Sequence, residues 1–137
     1  MNKAQYLLDD LAMQRFIADG YLQVDSGLSE DYHDRVFRQL EPLSETGLMG
    51  HNNLLPCAPL LQELIESPVV KGTLESLLGP EYHLHFHRHD HRTLPGGEQG
   101  LHKDGDNHSH QAIDHLRRPH PTRYVMMFYY PQDTTLD

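Results

Sequence analysis

The sequence predicts an α+β fold with helices first and strands later. Three observations predict it. Apolar residues recur at helical spacing through the first 80 positions, the period changes to two at Tyr82, and residues 123–130 read RYVMMFYY, β-branched and aromatic between Pro121 and Pro131. A chain of 137 residues holds one domain, divided as a mainly helical region 1–80 and a strand-forming region 81–137.

Residues 4–19 carry Leu7, Leu8, Leu11, Phe16 and Ile17 on a helical stripe that Gly20 ends, and Tyr21-Leu-Gln-Val24 then alternates as a short strand does. Ser29 is placed to cap the next helix, with Glu30 and Asp31 in the first turn, where the helix dipole favours anions. Val36, Leu40 and Leu43 mark its apolar face, and Pro42 is expected to bend or end it. Residues 45–59, with Gly47, Gly50 and two prolines, read as a loop. A short helix over 59–65 precedes a better marked one. Ser67 caps it, Pro68 occupies its first position, Val70, Leu74, Leu77 and Leu78 face the core, and Gly79-Pro80 stops it. The segment 82–92, YHLHFHRHDHR, sets His83, His85, His87, His89 and His91 on one face of a strand, with Leu84 and Phe86 on the other. Pro95-Gly96-Gly97 turns the chain, and a polar stretch over 105–121 leads to the strand of 123–130.

The composition narrows the function classes. A net charge of −9 argues against a nucleic-acid or anionic-membrane surface, where phosphates demand clustered Lys and Arg. No apolar run approaches the ~18–20 residues of a membrane span, and the first ten residues lack a charged segment followed by an apolar one. The single cysteine, Cys57, excludes an internal disulfide and reads as a small buried apolar residue. A soluble, cytoplasmic protein is expected. The abnormal number is histidine, 12 in 137, ten of them between positions 83 and 120. Such a concentration signals metal or proton chemistry.

The sharpest local feature is Gly100-Leu-His102-Lys-Asp104-Gly105. Residues two apart in an extended chain point the same way, so His102 and Asp104 can reach one metal ion together. An imidazole and a carboxylate are two of the three donors in the facial triad of non-haem Fe(II) oxygenases. On spacing alone, a solvated loop in a His-rich chain accounts for the same residues.

Four segments, in order, make the chain resemble the phytanoyl-CoA dioxygenase family of Fe(II)- and 2-oxoglutarate-dependent oxygenases, which includes the ectoine hydroxylases. Phe16-Ile-Ala-Asp-Gly20-Tyr-Leu-Gln-Val24 is similar to the family's helix-to-strand entry, and Ser67-Pro-Val-Val through Leu77-Leu-Gly79 to the helix before its first long strand. Leu94-Pro-Gly96 ahead of Leu101-His-Lys-Asp104 matches the run into the iron motif, and Tyr124-Val-Met-Met-Phe-Tyr-Tyr-Pro-Gln-Asp133 the strand and turn after it. The resemblance implies a double-stranded β-helix (jelly roll) behind the helices, with His102 and Asp104 as iron ligands. It implies oxidative decarboxylation of 2-oxoglutarate by dioxygen, coupled to hydroxylation of a small organic substrate. The family's third ligand, a distal His, and the Arg that pairs with 2-oxoglutarate fall beyond position 137. The resemblance thus implies a partial, N-terminal piece of the domain, inactive alone, with no catalytic residue assigned.

Other readings stay open. The stripe from His83 to His91 is a packed set of histidines bordering the cavity, part of the substrate or cosubstrate pocket, or a second site for Zn, Ni or Cu. His108, His110, His115 and His120, beside Arg117, Arg118 and Arg123, form a basic loop suited to an anionic substrate, or a solvated loop. The whole chain reads alternatively as a His-rich divalent-metal-binding module without catalysis, or as a degenerate, non-catalytic jelly roll.

Overall fold

The computed structural model of the chain describes residues 3–45, 53–85, 88, 122 and 124–133. A short 3-10 helix at Lys3–Tyr6 is followed by four α-helices: α1 (Asp10–Asp19), α2 (Glu30–Glu45), α3 (Leu61–Glu66) and α4 (Pro68–Leu78). The single helix expected over 4–19 is therefore two pieces. Asp9 divides them: its carboxylate accepts the Ala12 backbone N–H at 2.8 Å, so a strong N-cap opens a new helix where an apolar stripe alone reads straight through. Gly20 closes α1 as expected, in the left-handed region at φ 78°, donating its N–H to the Phe16 carbonyl at 2.9 Å.

Ser29 opens α2, its hydroxyl accepting the Tyr32 N–H at 3.2 Å. Pro42 lies inside α2, which continues to Glu45. Three turns of this helix bury Tyr32, Val36 and Leu40, spaced by four, and Val36 is wholly inaccessible. Full burial of such a side chain contributes about 1.5–3 kcal/mol. Leu54 and Ala58, in the turn ahead of α3, are buried against the same cluster as Leu64 of α3 and Val70 and Leu74 of α4. Cys57 lies between these two and is exposed, contrary to its expected burial, because the turn points its neighbours inward instead.

α4 matches its sequence signals end to end. Ser67 caps it through a contact from the Val70 N–H, Pro68 begins it, and Gly79 follows at φ 90°. Of its expected core face, Val70, Leu74 and Leu77 are buried. Gly72 lets the N-terminal segment approach: a Cβ there would overlap the Tyr6 carbonyl. The Ser76 hydroxyl fastens the same contact, accepting the Leu8 N–H at 2.9 Å and donating to the Gly72 carbonyl at 2.7 Å.

The described residues form none of the strands of a jelly roll. Among the described residues there is no β-strand, and the one β-bridge is an isolated parallel pair, Asn53 with Arg88. Residues 21–24, 82–85 and 124–130 run without regular secondary structure. The physical reason is that β-branched and aromatic residues favour a strand only where a second backbone offers a ladder and a half-buried face. Here the burial comes from helices. Val125 and Tyr129 pack against the helical core, which rewards the same apolar residues without a sheet. The described part is accordingly helical, and the α+β, jelly-roll expectation is corrected. No described helix is long and apolar enough to cross a membrane.

Candidate functional site

The expected ligands His102 and Asp104 lie outside the described residues, as do Lys103, Asp106, the polar stretch with His108 to His120, and His87, His89 and His91 of the stripe. Among the described residues, two stretches flanking the His-rich chain, Tyr82 with Arg88 and residues 124–133, meet the helical body. At the first, the Leu54 N–H donates to the Arg88 carbonyl at 3.0 Å, and the Arg88 Nε–H donates to the Asn53 side-chain oxygen at 3.1 Å. Backbone and side chain of Arg88 thus hold one short turn. Two members of the stripe lie just before it: His83 is exposed, and His85 is half-buried with its ring edge-on to Tyr124, centroids 6.1 Å apart. Neither stands on a strand, so the shared strand face predicted for them is not formed among the described residues.

At the second place, residues 124–133 lie against α2. Tyr129 meets His33 at 2.7 Å, phenol oxygen to Nδ1. The His33 ring is tilted 40° to the Tyr129 ring and edge-on to Tyr32, at centroid distances of 5.7 and 5.4 Å. The Tyr32 hydroxyl donates to the Leu60 carbonyl at 2.7 Å, tying this cluster to the chain before α3. Burial, reinforced by nearby Tyr32, pushes the Tyr129 phenol up to about 12. It is therefore neutral at physiological pH and keeps a proton to share with the imidazole. Burial also raises Tyr32.

Sequence reasoning missed His33, Tyr32 and Tyr129. The signal for Tyr32 was present, since the spacing of Val36 and Leu40 extends back by four to it. His33 and Tyr129 are 96 positions apart, and no local pattern pairs residues at that separation.

Among the described residues, no group of three or more His, Cys, Asp or Glu is arranged to hold a metal ion. The donor chemistry of His102 and Asp104, one neutral nitrogen and one carboxylate, fits a divalent first-row metal as part of a larger ligand set. Compared with protein-family models, curated proteins and solved structures, the chain matches none of them.

Proposed function

We propose that the chain carries part of the metal centre of a non-haem Fe(II)/2-oxoglutarate-dependent dioxygenase that hydroxylates a small organic substrate, with His102 and Asp104 as two of the iron ligands. The observation that carries the reading is the order of four motifs, with His102-Lys-Asp104 between Pro95-Gly96 and the aromatic run of 124–130 in the sequence. Two of the four are helix ends. The Gly20 cap of α1 and the Ser67-to-Gly79 limits of α4 fall where those motifs place helix ends, while Tyr21-Leu-Gln-Val24 forms no strand.

Bound Fe(II) with 2-oxoglutarate and dioxygen supplies oxidising power that no side chain has. The chain's own part is to hold and orient. His102 must be neutral to ligate, Asp104 ionised, so metal binding strengthens as pH rises through the imidazole range. Partners of those ligands fix the histidine tautomer and the carboxylate angle. Arg117, Arg118 and Arg123 follow the motif and suit an anionic substrate.

Metal titration tests the reading, with Co(II) as an air-stable probe of the Fe(II) site. The double variant His102→Ala, Asp104→Ala is expected to lose affinity beyond the ~10–100-fold typical of removing an outer partner of a ligand. The triple variant His87→Ala, His89→Ala, His91→Ala is expected to keep it. The reverse pattern replaces the oxygenase with a His-rich metal-binding module.

A further inference from the structure

We infer that residues 125–130 form a pairing edge, on which the same segment of a second copy of the chain lies antiparallel as a β-strand. The pairing is independent of any metal ion. Three observations carry it. Among the described residues, the backbone N–H and C=O groups of 125–130 take part in no hydrogen bond. Val125 and Tyr129 pack on the helical core, with the 2.7 Å bond to His33 holding Tyr129 there, while Met126, Phe128 and Tyr130 are exposed. No charged residue stands from Tyr124 to Gln132, in a chain of net charge −9.

Aromatic and β-branched residues become a strand when a second backbone offers a ladder, and open edges are normally guarded by charge or by proline. Here Pro131 ends the row and no charge guards it. The helices already hold the segment through Val125 and Tyr129, so pairing costs less ordering than it would for a free peptide. Charge selects a second copy at this edge. α1, the other flank with exposed apolar residues, is capped by Asp9 and bounded by Asp10 and Asp19, so two copies meeting there would oppose carboxylates. Residues 125–130 meet themselves without that repulsion, and two identical antiparallel segments close as a two-fold dimer. In the register centred on Phe128, that residue faces its counterpart and Met126 faces Tyr130 of the partner subunit, so cross-strand side-chain pairs add to the ladder. Such a short segment falls well short of the ~20–30 residues a side of a standard interface, so the dimer is weak and concentration-dependent.

The test uses the full chain, with sedimentation from micromolar to millimolar protein and amide exchange at 125–130 read at both ends of that range. The expected result is a shift from monomer to dimer, with exchange at alternate residues of the segment slowing as the dimer forms. An antiparallel ladder engages the N–H groups of alternate residues. One of Met127→Pro and Phe128→Pro should therefore abolish the dimer, and the other should leave most of it. Both positions are exposed, and Tm reports that the fold survives. Phe128→Thr keeps strand propensity and loses the aromatic pair, so it should weaken the dimer about twofold to fivefold. A dimer untouched by both prolines, or formed without slower exchange at 125–130, overturns the inference and moves the adhesive surface elsewhere. A chain that stays monomeric at every concentration overturns it as well, and slow exchange at 125–130 in that monomer would place the pairing partner within the same chain.

Discussion

Tyr129 shows how a single residue links packing to chemistry. Its ring lies against the helical core and its hydroxyl against His33, and burial pushes its ionisation from 10.0 up to about 12. A folded-state value above the unfolded one means that the proton is held more tightly in the native protein. The contribution to stability is fully present below pH 10 and is lost as pH rises towards 12, where the unfolded chain has already released its proton. At neutral pH, Tyr129→Phe should cost about 1 kcal/mol through the lost hydrogen bond. Denaturant melts across the alkaline range should then show the wild type falling towards the variant between pH 10 and 12. The wild-type phenolate absorbance should include a step near pH 12 that the variant lacks. A stability gap independent of pH would mean that Tyr129 is not held neutral by the fold.

The elements legible in the sequence were those whose ends carry chemistry of their own. Ser67, Pro68 and Gly79 fixed α4, and Gly20 fixed the end of α1, because capping satisfies local backbone groups whatever the rest of the chain does. Asp9 was equally informative and was overridden by the apolar stripe around it, which merged two pieces into one helix. Residues 124–130 were misread for a different reason: aromatic and β-branched content records a need for burial, and helices met that need through Val125 and Tyr129. Gly72 gives a test at this scale. Its missing side chain leaves room for the Tyr6 carbonyl, and the Ser76 hydroxyl ties Leu8 down beside it. Alanine would raise helix propensity by up to about 1 kcal/mol yet force backbone against backbone. Since overpacking of this kind costs about 1–3 kcal/mol, Gly72→Ala should lower Tm, and more rapid amide exchange at Leu8 should locate the damage. A raised Tm with unchanged exchange would show that the N-terminal segment does not pack on α4.

For the whole molecule, local rules account for the helices of the described part, and the expected ligands His102 and Asp104 lie outside it, whereas the pairing of His33 with Tyr129 depends on a tertiary contact that no periodicity encodes. The same distinction governs surface behaviour. α1 has no buried residue, and Leu11, Ile17 and Tyr21 are 55%, 76% and 71% exposed on and after it. On the other described flank, Phe128 and Tyr130 are 60% and 69% exposed, in a segment that forms no strand with any described residue. Apolar groups concentrated in this way favour association, and an aromatic segment outside a sheet is open to pairing with another chain. The net charge of −9 opposes that association at long range, so added salt should promote it by screening. Sedimentation of the wild type should therefore shift to larger species with protein concentration, and further with salt. Ile17→Lys and Phe128→Lys each place an ammonium on one flank without removing a buried contact, so each should reduce the shift while Tm stays within about 1 °C per ~0.2 kcal/mol of surface perturbation. If Phe128→Lys alone abolishes the association, the 124–130 segment is the adhesive surface; if only Ile17→Lys does, it is α1. A wild type that sediments as one small species at every concentration and salt would show that neither flank is adhesive.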